Sequence, residues 1–163
     1  MIKESIEEAL NVQMNRELYS SYLYLAMAAD FEKKNLRGMA TWMRVQADEE
    51  YAHAMRFYDF IISRGGTVSL HRIDAPPKSW KTPLQAFENA YEHEQKVTHW
   101  IHEIVDLAMN EKDHATMGML QWFVSEQVEE ERNASENVAN LKMLGEKGPI
   151  LMIDHHLGKR KKS

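Results

Sequence analysis

Residues 47–57 read A-D-E-E-Y-A-H-A-M-R-F. Helical steps through this stretch put Met43, Glu50, His53 and Phe57 on one face, so a carboxylate and an imidazole interrupt an apolar stripe. The stripe is long. Met39, Met43, Gln46, Glu50, His53, Phe57 and Phe60 recur at steps of three and four until Gly65-Gly66 stops them, which predicts a helix B over about 38–64.

Outward from helix B the same rhythm recurs three times. Leu10, Met14, Glu17, Ser21, Tyr24, Ala28 and Phe31 predict helix A over about 2–34, a span with no Gly or Pro. Helix C, about 83–110, opens with Pro83 at its first position and turns Phe87, Tyr91, Glu94, Thr98, Ile101, Val105 and Ala108 inward. Helix D, about 114–144, carries Leu120, Phe123, Gln127, Glu130, Ala134, Val138 and Leu141. I-L-M-I-D-H-H-L predicts a short helix E, about 148–158. Between B and C, residues 65–82 hold the only Gly-Gly and Pro-Pro pairs and show no periodicity. Fully extended, that connection reaches roughly 60 Å, enough to cross a bundle. Short A–B and C–D turns with one long B–C crossover predict an all-α, ferritin-like up-down four-helix bundle, as a single domain 1–163. Cytokine bundles use two long crossovers, and one is visible here.

Composition supports this frame and excludes several functions. With 7 Gly and 4 Pro in 163 residues, long helices are favoured over a turn-rich β fold. A net charge of -5 argues against nucleic acid as a partner. The basic run Lys159–Lys162 reads as a solvated tail. Without cysteine, any metal must be held by oxygen and nitrogen. Acidic residues near the N-terminus, where a signal peptide would be apolar, and no run of about 18 apolar residues predict a cytoplasmic protein that does not engage a membrane.

Each inward stripe is interrupted near its middle: by Glu17 in A, Glu50 and His53 in B, Glu94 in C, and Gln127 with Glu130 in D. The midpoint of Glu17 and Glu50 falls between Lys33 and Lys34, in the predicted A–B turn; Glu94 with Gln127 or Glu130 gives midpoints between Asn110 and Lys112, in the C–D break. In antiparallel hairpins such residues face one another, so the polar groups share one level of the bundle. Carboxylates gathered in an apolar interior repel and carry large desolvation costs unless a cation joins them. Oxygen ligands with one imidazole suit iron or manganese, and the di-iron bundle pattern is a Glu from each of two helices plus Glu-x-x-His from each of two others. Glu17 and Glu94 supply the single carboxylates, and Glu50 to His53 one Glu-x-x-His. Helix D has Q-V-E-E instead of a second copy, so one iron position is better furnished than the other. Glu49, Glu126, Glu129 and Glu130 add carboxylates on adjoining faces of B and D, either a third iron position or a solvated acidic surface. Tyr24, on the stripe of Glu17, is placed to bond a ligand or give up an electron; a plain core tyrosine is the competing role.

N-R-E-L-Y-S-S-Y-L-Y-L at 15–25, A-D-E-E-Y-A-H-A at 47–54, the glutamate of Y-E-H-E at 91–94 and W-F-V-S-E-Q-V-E-E-E at 122–131 together resemble non-haem bacterial and archaeal ferritins, over essentially the whole chain. The resemblance implies a homo-oligomeric 24-subunit hollow shell with a ferroxidase centre in each bundle. Ferrous iron would be oxidised there by dioxygen or peroxide and stored as ferric oxide mineral. It implies a first iron position at Glu17, Glu50 and His53, a second at Glu50, Glu94 and Glu130, and a third at Glu49, Glu126, Glu129 and Glu130, with Gln127 and Tyr24 near the centre. Bacterioferritins are similar, but they place a haem-binding Met directly after the helix-B glutamate. Tyr51 stands there, so no haem is expected.

Overall fold

A computed structural model of the chain describes residues 1–145 and 148–162, and among the described residues it contains five helices and no strand. Helix α1 spans Glu4–Lys33, α2 Arg37–Ser63, α3 Pro83–Asn110, α4 His114–Leu144 and α5 Ile150–Leu157. The expected single-domain span also takes in residues 146, 147 and 163, which lie outside the described residues.

The two hairpin turns are built alike. After α1 the chain reverses through Asn35 at φ 59°, and Leu36 N–H bonds back to the Phe31 carbonyl at 2.9 Å. After α3 it reverses through Lys112 at φ 53°, and Asp113 N–H bonds to the Ala108 carbonyl at 2.9 Å. Both bonds satisfy carbonyls left over at a helix end. Asp113 then caps α4 by accepting from Thr116 N–H at 3.0 Å, and it receives Arg64 through two bonds of 3.0 and 3.2 Å. That pair ties the end of α2 to the start of α4. Helix α3 begins as its sequence dictates: Thr82 Oγ1 accepts from Gln85 N–H, Gln85 Oε1 accepts from Lys81 N–H, and Pro83 takes the first turn, where no N–H is missed.

The crossover runs the length of α1. Asn11 accepts from Ser69 N–H at 2.7 Å and donates to the Thr67 carbonyl at 2.9 Å; Asn15 accepts from His71 N–H and donates to the Ser69 carbonyl, both at 2.8 Å. At the far end Asp30 accepts from Trp80 N–H, and Lys34 bonds the Trp80 carbonyl and Asp30. From Asn11 to Asp30 is 19 residues (30 − 11), or about 28 Å of helix. The crossover therefore returns the chain to the end of the bundle where α1 closes, and α3 can pack antiparallel to α4.

Helix α5 docks on the start of α2. Asp154 Oδ1 accepts from Met39 N–H at 2.8 Å, and a Cβ on Gly38 would lie 1.7 Å from the Asp154 carbonyl oxygen, so this close approach requires glycine. The segment beyond α5 then follows α2. Arg160 stacks on Trp42 with its guanidinium 4.3 Å from the ring centroid, and bonds Gln46 and Glu49. The predicted solvated tail is thus corrected at Arg160: an aromatic ring and a carboxylate at helical spacing on α2 hold it against the bundle.

Two apolar clusters fill the interior. One gathers Met27, Phe31, Met39, Met43, Phe87 and Leu141; the other gathers Ile6, Leu10, Phe57, Ile61, Ile101 and Phe123. Between them lies a layer of buried polar side chains: Gln13, Glu17, Ser20, Gln46, Glu50, His53, Glu94, Gln127 and Glu130.

Candidate metal centre

Every long helix contributes a carboxylate to this layer. Glu17, Glu50 and Glu94 are each 1% exposed, and Glu130 and His53 4%. Burial of that degree excludes a hydrated acidic surface, so the groups must be neutral, bonded or matched by a cation.

The side chains converge on three overlapping sets whose nitrogen and oxygen atoms lie within 4.8 Å of one another: Glu17, Glu50 and His53; Glu50, Glu94 and Glu130; and His53, Glu126 and Glu130. Glu50 belongs to the first two sets, so it stands between them. His53 Nδ1 lies 3.2 Å from Glu50 Oε2, and His53 Nε2 lies 3.7 Å from Glu126 Oε1. Trp122 and Phe123 meet the imidazole ring edge-on, with centroids 5.3 and 6.0 Å away, and fix its plane.

Amides and hydroxyls aim the carboxylates. Gln13 donates to Glu17 Oε1 at 2.8 Å, and Gln46 donates to Glu50 Oε1 and Glu130 Oε2, both at 2.8 Å. Tyr24 O–H donates to Glu94 Oε1 at 2.5 Å, while Gln127 donates to Glu94 Oε2 at 3.1 Å. Glu94 is thereby held at both oxygens. Glu17 is not: its Oε2 is buried with no partner, as is Gln13 Oε1. A buried carboxylate oxygen without a donor is rare in native structures and points to an absent ligand.

The electrostatics agree. Burial, followed by the neighbouring carboxylates, pushes Glu17 and Glu130 well above the ordinary carboxylate range, and burial with the Glu94 charge raises Glu50. Burial brings Glu94 to about 7 despite the Tyr24 and Gln127 bonds. For His53 burial opposes protonation, but Glu50, Glu126 and Glu17 outweigh it and push the imidazole up to about 12. The pattern is that of an anionic pocket short of positive charge. Carboxylates and one imidazole, without thiolate, form a hard donor set suited to iron or manganese.

The residues expected to form the third position are spread more widely. Glu126 and Glu130 approach His53. Glu49 is bonded by Arg160 at 2.6 Å, and Glu129 is exposed on α4. Tyr24 and Gln127 both meet Glu94.

Sequence reasoning missed Gln13 as a site residue and gave Gln46 no role beyond its stripe. A signal was present: each stands four residues before a site glutamate, on one helix face, where Gln and Glu can bond. It also missed His93, buried behind Tyr24 with Nε2 2.7 Å from Ser20 Oγ. Burial, then the Lys96 charge, pulls its pKa down to about 4, so the ring is neutral.

A crossover four-helix bundle with carboxylates from all four helices and a histidine at its waist defines the carboxylate-bridged metal class of helical bundles. Comparison with known proteins narrows the class. The sequence profile of the ferritin-like domain matches residues 7–144. The chain belongs to the ferritin family. It is similar to the bacterial non-haem ferritin of Bacteroides fragilis, 44% identical over 160 residues, which cover 98% of this chain and 100% of that protein. A probable bacterial non-haem ferritin-like protein of Haemophilus influenzae is 37% identical over 159 residues, 97% of this chain and 96% of its own. Among solved structures, the open-pore ferritin of the hyperthermophilic archaeon Archaeoglobus fulgidus superposes with a TM-score of 0.97 at 50% identity, covering 99% of this chain and 100% of that one. None of the helices in the described residues is long and apolar enough to cross a membrane.

Proposed function

We propose that this chain stores iron, and that it oxidises Fe(II) at a two-ion centre inside each subunit before depositing ferric oxyhydroxide in the cavity of a protein shell. The observation that carries the reading is the pair of ligand sets sharing Glu50, the first of which includes Glu17, whose Oε2 is buried without a partner. Family membership supports iron as the substrate.

On this reading Glu17, Glu50 and His53 hold one Fe(II), and Glu50, Glu94 and Glu130 the other. Each ion gives one electron to dioxygen or peroxide. The two positions differ in chemistry. The first combines two carboxylates with an imidazole, whereas the second has carboxylates alone, with Gln127 where a fourth helix could have offered another. An oxygen-only set built on one shared ligand holds its ion less firmly, which suits a centre that passes its product on. Gln13, Gln46, Gln127 and Tyr24 orient the carboxylates, as outer-shell partners do. Tyr24, bonded to a ligand, is also the residue placed to supply an electron. Glu126 and Glu130 supply a start for a third position, completed by Glu49 and Glu129 if those side chains turn inward. The reading extends to a cytoplasmic shell of 24 subunits.

Aerobic addition of Fe(II) in large excess over subunits tests it. Expected are fast oxidation, followed spectroscopically, and a soluble iron-loaded particle of shell size by native mass measurement. Uptake that stops at two ions per subunit would identify a permanent di-iron cofactor and overturn storage.

A further inference from the structure

The segment after α5 reaches the metal centre. Gly38 and Asp154 seat α5 on the first turn of α2, and the chain then meets Trp42, Gln46 and Glu49, which share one stripe of that helix. Arg160 makes the contacts to these three residues, and Lys162 adds an exposed ion pair to Asp48 of the same helix at 2.6 Å. Its guanidinium lies on the Trp42 ring, donates to the Trp42 carbonyl at 3.3 Å, to Gln46 Oε1 at 2.8 Å and to Glu49 Oε2 at 2.6 Å. Both ion-pair partners have side chains only 17% exposed, so the pair is screened less than a surface contact.

The Gln46 amide translates this contact inward. A guanidinium only donates, so Gln46 must present its oxygen to Arg160 and its NH2 to the pocket. That NH2 then donates to Glu50 and Glu130, a bond from each of its two hydrogens. Arg160 therefore decides which way round the amide sits. The same guanidinium also neutralises Glu49, one of the four carboxylates expected to hold a third ion.

We propose that Arg160 is a positioning residue of the metal centre: a tethered cation that orients Gln46 toward Glu50 and Glu130 and withholds Glu49, so that a third metal ion binds only by displacing it. This rests on the di-iron reading above. The chain thereby carries its own occupant for the third position, and occupancy there is coupled to release of the segment 158–162.

The test uses the full, assembled, metal-free protein and Zn(II), which has no redox chemistry. Calorimetric titration of the wild type is expected to resolve two tighter ions per subunit and a weaker or undetected third. In Arg160→Ala the third ion should bind at least about tenfold more tightly, while Arg160→Lys, which keeps the charge at Glu49, should stay near wild type. Hydrogen exchange of segment 158–162 in the wild type should accelerate when zinc exceeds two equivalents, and in Glu49→Gln it should not. A third-ion affinity within about twofold in Arg160→Ala, together with segment exchange that ignores zinc, overturns the inference. Should Arg160→Ala fail to assemble, the exchange measurement on the wild type and Glu49→Gln decides alone. A protein whose first two ions survive loss of Glu17, Glu50 and His53 would instead defeat the di-iron reading. Two normal ions with an indifferent third defeat only the role of Arg160.

Discussion

Helices α1 and α2 carry the same pair at the same spacing, Gln13 with Glu17 and Gln46 with Glu50, and in both the amide donates to Glu Oε1 at 2.8 Å. Around that shared bond the two differ. The α2 pair is complete, because Gln46 Oε1 receives Arg160 and Glu50 Oε2 lies against His53. The α1 pair is open, since Gln13 Oε1 and Glu17 Oε2 are buried without partners. Equal local sequence thus yields one saturated and one unsaturated carboxylate, and the difference comes from what the opposite elements bring. The open pair marks where a cation gains most by arriving.

The largest effect should come from breaking the shared ligand. Glu50→Ala removes a group common to both sets, and the initial rate of Fe(II) oxidation should fall by more than about 100-fold, since loss of an outer-shell partner alone costs about 10- to 100-fold. Assembly should persist, as size-exclusion chromatography would check. Gln46→Leu should fall within that outer-shell range for Zn(II) affinity, because it frees Glu50 Oε1 and Glu130 Oε2 together. If Gln13→Leu, measured alongside, costs as much, completeness of the α2 pair has no functional weight.

Glu17→Gln sharpens the contrast in the opposite direction. A neutral amide removes the buried, unpartnered carboxylate, and its NH2 can supply the donor that Gln13 Oε1 lacks. The metal-free variant should be more stable than wild type by about 1 to 3 kcal/mol in denaturant unfolding, and should gain little from metal. A metal-free variant of lower stability would show that Glu17 is already satisfied.

The smallest effect lies at the bundle end. For Asp113 burial works against ionisation, but Arg64 and the Thr116 N–H prevail and hold its pKa below the ordinary 3.8. A depressed carboxylate contributes stability above its unfolded pKa, and that contribution fades as pH falls through the folded value. Asp113→Asn should lower stability by about 1 kcal/mol at neutral pH, with the difference from wild type shrinking below about pH 4 in acid titrations of unfolding.

Much of the fold was legible because its signals are local. Thr82-Pro83 is a helix start by capping and by the fixed φ of proline. Gly65-Gly66 is a stop, and the 3.6-residue stripes name their own inward faces. Glu17, Glu50, His53, Glu94, Gln127 and Glu130 stood out because each breaks such a stripe, and the structure buries all six. What stayed hidden depends on side chains that choose among neighbours. Glu49 lies one residue from Glu50, on the flank of the same helix, and nothing local says whether it turns to the pocket or to Arg160. Nor could a run of K-R-K-K announce that Arg160 docks half-buried while Lys162 pairs with Asp48 at the exposed surface; that choice belongs to Trp42, 118 positions from Arg160. His93 adjoins Glu94, but its burial follows from Ser20 and Tyr24 on α1.

The crossover beside α1 has a consequence for how the chain tolerates change. Asn11 and Asn15 read consecutive peptide units of an extended strand as a neighbouring β-strand would, and Asp30 anchors the other end at Trp80. Register is therefore set at both ends and by side chains, whereas residues 72–79 between them enter none of these bonds. That interval is a spacer held between two clamps: residues added there lengthen a surface loop without shifting either helix hairpin, which makes it the natural place to carry a foreign peptide on this scaffold.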